Sequence, residues 1–116
     1  GFVFAAPGSV MIQGYISKEQ HGKISAAGPG TNWAVGTAFL LGAIVFLNFG
    51  MNLIGFILGF VSYVNLFIGG FNLLPFGPLD GRKIFSWSPK HYIGLVALIG
   101  SSLAAGYLTG AFSFIL

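Results

Sequence analysis

Polar and apolar positions along this chain are sorted into blocks. All seven charged side chains fall in two stretches, Lys18, Glu19 and Lys23 in the first and Asp80, Arg82, Lys83 and Lys90 in the second, with His21 and His91 beside them. Between the stretches, residues 24–79 form an uncharged run of 56 residues. A helix crosses a hydrocarbon core in roughly 20 residues, so this run is too long for one crossing and fits two. With "ISAAGPGTN" (24–32) as a lead-in loop and "NLLPFGPL" (72–79) as an exit loop, the 39 residues 33–71 divide into two spans. Asn48, Gly50 and Asn52 mark the reversal. A third block, 92–116, has 25 uncharged residues, enough to cross with some tilt. The pattern predicts a mainly α, polytopic membrane protein with about three transmembrane helices, 33–50, 51–74 and 92–116, and a proline-broken loop at 72–81.

The first 30 residues read differently. "FVFAAPGSVMIQGYIS" carries Pro7-Gly8, suited to the centre of a type II turn, between flanks rich in Phe, Val and Ile. This predicts a β-hairpin over 2–16. Its edges need cover by protein or by the membrane interface, because unpaired backbone is costly in hydrocarbon. "KEQHGK" (18–23) reads as a polar turn, and Thr31 or Asn32 is a candidate N-cap for the first span. "GFILG" (55–59) and "GYLTG" (106–110) are GxxxG patterns, which let helix backbones approach closely.

Composition agrees: 55% of residues are hydrophobic and 6% charged, against about 25% charged in soluble domains, and the mean hydropathy is +0.88. The net charge of +3 then reads as a topology signal rather than a nucleic-acid footprint. With 33–71 as a down-and-up pair, both basic clusters lie on one side of the membrane, the cytoplasmic side by their excess of Lys and Arg, unless Arg82 and Lys83 instead snorkel near a helix end. Trp33, Tyr63, Trp87 and Tyr92 suit interface belts. The absence of cysteine excludes disulfides, thiolate metal ligands and a cysteine nucleophile. The chain opens on Gly1 without a methionine or charged leader and reads as an internal piece of a longer protein.

Asp80, the only aspartate, carries the candidate chemistry. Pro75 and Pro78 remove two backbone donors and drive the residues before them out of helical geometry. Irregular backbone at membrane depth survives only when buried in protein or lining a wet cavity, and a carboxylate there is a functional candidate. The alternative places the break at the membrane surface, with Asp80 as a helix cap or a partner of Arg82 or Lys83.

"NLLPFGPLDG" resembles the Asn-x-x-Pro-x-x-Pro-x-Asp-Gly signature of the site-2 protease family, polytopic zinc metalloproteases that cut peptide bonds within or near the membrane. "ISAAGPGTN" resembles the segment that enters the transmembrane helix preceding that signature. The two motifs occur in the family's order, and the resemblance covers about residues 1–90. It implies that Asp80 is one ligand of a catalytic zinc and that Asn72 lies near the metal, steadying an oxyanion or holding substrate. Pro75, Pro78 and Gly81 would shape the loop that aims Asp80 and positions substrate. It also implies that the strands of 2–16 align an unwound membrane-protein substrate.

A catalytic zinc takes three protein ligands and keeps one position for water. In the family, two of those ligands and a glutamate base come from a His-Glu-x-x-His motif on an earlier helix, and this chain has no such motif. His21 reads as solvated in its turn, and His91 as a residue at a helix entrance. After Gly81 the chain also goes directly to Arg82, where family members often carry a second glycine. Residues 1–116 are therefore expected to form a single membrane-embedded domain, a fragment of a larger catalytic domain, inactive alone and completed by missing N-terminal helices or a second chain. Two other readings remain: a non-catalytic membrane scaffold of the same fold, and a transport or proton-relay subunit in which Asp80 titrates.

Overall fold

The computed structural model describes residues 17–113, which form four helices. These are α1 (Lys18–Asn48), α2 (Asn52–Asn72), α3 (Asp80–Trp87) and α4 (Pro89–Leu108). There is no strand among the described residues, and the hairpin expected over 2–16 lies outside them. Three of the helices, α1 from Glu19, α2 and α4, are long and apolar enough to cross a membrane.

The largest departure from the sequence reading is at the start of α1. The polar turn "KEQHGK" and the lead-in loop "ISAAGPGTN" are both helical. Thr31 is not an N-cap; its hydroxyl donates to the Ala27 carbonyl one turn back at 2.7 Å. The helix instead starts at a capping box. Gln20 N–H donates to Ser17 Oγ at 3.1 Å, and Ser17 N–H donates to Gln20 Oε1 at 3.0 Å, so two otherwise orphaned donors are satisfied. Pro29 has no N–H to give the Ser25 carbonyl, yet the helix runs through it. Packing on either side holds the backbone: Gly22 lies under the Trp87 indole, and Pro29 is fully buried where Asn32 and the Pro29 carbonyl meet Gly69. At 31 residues and about 1.5 Å per residue, α1 extends about 46 Å.

The chain reverses at Phe49–Met51, where Gly50 has φ +77, as the polar residues there imply. The antiparallel α1–α2 pair is built on small residues. Gly55, Gly59, Ser62, Leu66 and Gly69 are the buried positions of α2. Their spacing of four and three residues puts them on one helical face. Gly36 lies against Leu66, Gly42 near Leu58, and Gly55 under Leu47. Ser62 Oγ donates to the Gly36 carbonyl at 2.6 Å, a bond available only because no side chain separates the backbones. The first GxxxG pair thus sits at a helix contact.

The second does not. Gly106 is covered by the Phe112 ring, and Gly110 has φ +81 just beyond α4, the left-handed position that ends a helix. The third apolar block therefore stops being helical at Leu108, short of 116. The chain folds back so that Ala111 and Phe112 join Leu40, Ala43 and Leu66 in the core.

Large apolar side chains face outward instead. Leu53, Phe56, Ile57, Phe60, Phe67, Ile68 and Phe71 of α2 are all exposed, a far larger apolar face than a water-soluble monomer presents. Between α1 and α4 the contact combines apolar packing of Trp33 and Leu103 with polar bonds: Trp33 Nε1–H donates to Ser102 Oγ at 3.1 Å, and Thr37 Oγ1 lies 3.3 Å from the same hydroxyl.

Substitution at Gly36 tests this packing. Gly36→Ala places a methyl 2.7 Å from Leu66 Cγ and 3.2 Å from the Ser62 carbonyl, and lowers stability by about 1–3 kcal/mol. Gly30→Ala, where no atom lies within 4 Å, is neutral or stabilises by up to about 1 kcal/mol. Thermal unfolding of both variants in detergent, followed by circular dichroism, measures the difference.

Candidate functional site

The site is built from the loop between α2 and α3. Helix α2 tightens as it ends, with Leu73 N–H donating to the Gly70 carbonyl and Leu74 N–H to that of Phe71, both at 3.1 Å. Pro75 follows immediately. Leu79 N–H closes a turn onto the Phe76 carbonyl at 3.3 Å, with Gly77 at φ +60 inside it. Leu79 is extended, and Asp80 is the first residue of α3, where a carboxylate is favoured by the helix dipole. Asp80 is thus one place beyond the N-cap. Pro75 and Pro78 break the helix as their chemistry requires, and both are exposed.

Backbone contacts fix where α3 begins. A Cβ at Gly81 would overlap the Leu73 carbonyl and approach the Leu74 oxygen, backbone atoms that cannot rotate away. The Leu73 carbonyl also accepts from the Tyr92 hydroxyl at 2.7 Å, so one peptide group joins the end of α2 to both α3 and α4. On the other side, Asp80 Oδ2 lies 3.2 Å from where a Gly28 Cβ would be: the carboxylate rests against bare α1 backbone. With Trp87 over Gly22, α3 runs antiparallel along α1, its Ile84 fully buried.

Asp80 is half-buried, and burial pushes its carboxyl above the ordinary range, while the positive charges of Lys83 and His21 pull it partly back. His21 is in a helix, not in a turn. It is a half-buried helical residue whose charge is felt at Asp80. His91 is in the first turn of α4, stacked on Trp87 at 4.4 Å with Nδ1 2.7 Å from Ser88 Oγ. Glu19 pairs with Lys23 at 3.1 Å on the exposed face of α1.

Of the site residues expected from sequence, Asp80 and Gly81 open α3 and half-exposed Asn72 closes α2. The Gly81–Leu73 contact draws those two helix ends together. No group of three His, Cys, Asp or Glu side chains able to hold a metal occurs among the described residues. A catalytic zinc needs three protein ligands, so these residues by themselves do not fit one. Gly28 was not singled out in the sequence, and Tyr92 was read there only as an interface-belt residue. Gly28 was hidden in "GPG", which reads as a loop, and Tyr92 Oη meets a carbonyl 19 positions away.

Two curated proteins of Methanocaldococcus jannaschii resemble this chain. One, named "Putative zinc metalloprotease MJ0611", is 39% identical over 94 residues, covering 77% of this chain and 46% of that protein. The other, named "Zinc metalloprotease MJ0392", is 36% identical over 104 residues, covering 84% of this chain and 30% of that protein. These similarities support a relationship to zinc metalloproteases. The chain spans less than half the length of either relative. No family model matches, and neither does any solved structure.

The raised Asp80 carboxyl has a stability consequence with a definite sign. A carboxyl raised in the folded state favours folding when protonated and opposes it when ionised. In metal-free protein, Asp80→Asn is therefore more stable than wild type at pH 7. The advantage shrinks as pH falls through the folded value towards 3.8 and below. Gly81→Ala costs about 1–3 kcal/mol at any pH, because it forces α3 off the end of α2. Melting curves of the three proteins between pH 3 and 8 separate the two effects.

Proposed function

We propose that these 116 residues are the carboxylate-bearing part of an intramembrane zinc metalloprotease of the site-2 type, hydrolysing peptide bonds in transmembrane or juxtamembrane segments of membrane proteins. The observation that carries the reading is Asp80 itself. A half-buried carboxyl with a raised pKa, presented by a double-proline loop and seated against the Gly28 backbone, is costly to keep and well fixed. The similarity to proteins named zinc metalloproteases gives that cost a purpose, with Asp80 as one zinc ligand.

The remaining ligands and the base come from a segment outside these residues, an earlier helix of the same polypeptide or a second chain. Asn72, at the end of α2 and across the Gly81–Leu73 contact from Asp80, holds substrate or the negative charge that develops on it. The exposed loop Pro75–Pro78 borders the path of an unwound substrate, and Gly81 sets its depth. The three long apolar helices lie in the bilayer, with both charged segments on the cytoplasmic side. The lack of a three-ligand group among the described residues also favours a second reading, a membrane scaffold without catalysis.

Proteolysis and zinc content distinguish the two. In a longer polypeptide that carries a His-Glu-x-x-His helix, Asp80→Asn lowers zinc affinity and cleavage of a membrane-anchored substrate by at least about 100-fold. Asn72→Ala keeps the zinc and lowers turnover by about 100- to 1,000-fold. The 116-residue chain alone binds no stoichiometric zinc and cleaves nothing. Zinc-dependent proteolysis by that chain, or wild-type cleavage by Asp80→Asn, would overturn the proposal.

A further inference from the structure

The first three turns of α4 carry a feature that the protease reading does not use. A shallow, open groove of about 410 Å³ lies on one face of this helix alone, near its N-terminal end, lined by Lys90, His91, Gly94, Leu95 and Leu98. The spacing places these residues on one helical face, cationic at the entrance and apolar over the roughly 10 Å from His91 to Leu98. The groove is open because Gly94 has no side chain and no atom lies within 4 Å of where a Cβ would be. Its entrance is ordered: His91 is stacked on Trp87 and held through Nδ1 by Ser88 Oγ at 2.7 Å, while Lys90 is exposed beside it. Arg82 and Lys83 of the preceding α3 add positive charge to the same part of the chain, where Asp80 is the only acid.

We infer that this groove binds an anionic phospholipid of the bilayer. Lys90 and His91 meet the headgroup phosphate, and one acyl chain lies over Gly94 against Leu95 and Leu98. Charge complementarity is matched to depth. When α4 crosses a bilayer, its first turn lies at headgroup level and the apolar part of the groove at acyl level, so an amphiphile with an anionic head fits both halves. Lys and Arg just outside a membrane helix attract anionic headgroups. The inference rests on the membrane-spanning reading of α4, not on catalysis.

The test uses the 116-residue chain in neutral detergent and in vesicles. Native mass spectrometry and thermal shift are read against added phosphatidylglycerol, phosphatidylcholine and inorganic phosphate. Phosphatidylglycerol is expected to remain bound and raise the melting temperature, phosphatidylcholine to bind several-fold more weakly, and phosphate alone to do neither. Lys90→Glu weakens phosphatidylglycerol binding by about tenfold. Gly94→Leu fills the groove and weakens binding of both lipids, with helix content unchanged by circular dichroism. Equal binding of both lipids, wild-type binding by both variants, or a full shift from phosphate alone would overturn the inference while the chain stays in vesicles after alkaline carbonate extraction. Release of the chain by carbonate would overturn the membrane-spanning reading and the inference with it.

Discussion

The arrangement depends on one backbone contact. Gly81 lies against the carbonyls of Leu73 and Leu74 with no room for even a methyl group, and the Leu73 carbonyl is claimed again by Tyr92. Three helices meet at that peptide, so the start of α3 cannot shift without disturbing α2 and α4 together. Asp80 precedes Gly81 and inherits this rigidity. Its other neighbour, the α1 backbone at Gly28, completes a seat in which the carboxyl is half-buried and its pKa raised.

The packing that supports this seat is inverted relative to a water-soluble bundle. Small residues fill the α1–α2 interface and large apolar ones face outward. Close backbone approach adds to the cohesion of the buried apolar clusters, an arrangement compatible with a bilayer, where lipid offers no hydrophobic drive for helix association. Polar side chains inside the bundle are each given a partner: Ser62 the Gly36 carbonyl, and Trp33 and Thr37 the Ser102 hydroxyl. Individually such bonds contribute modestly, about 0.6 kcal/mol on average, but they fix which faces meet.

Much of this was legible in the blocks of the sequence. The three apolar helices, the reversal at Gly50 and the break at Pro75 and Pro78 each follow from a local cause that the residues state directly. The start of α1 was not legible from the Gly-Pro-Gly signal, because contacts with Trp87 and Gly69, more than 35 positions away, hold a helix where local propensity opposes it. The Ser17-x-x-Gln20 capping pattern was the available clue. Helix α3 was missed because eight residues are too few to show a period. Asp80 stood out as a lone acid in an apolar chain, but its seat on Gly28 joins residues 52 positions apart, and nothing local marks that pairing. His21 was misplaced for the same reason as α1: a polar cluster was taken for a turn.

The central claim is that position 80 reaches a bound metal. Zinc-edge X-ray absorption on the longer polypeptide, wild type against Asp80→Cys, tests it most directly. The account predicts a sulfur neighbour at about 2.3 Å that is present only in the variant. Stoichiometric zinc with the same first shell in both proteins would contradict it.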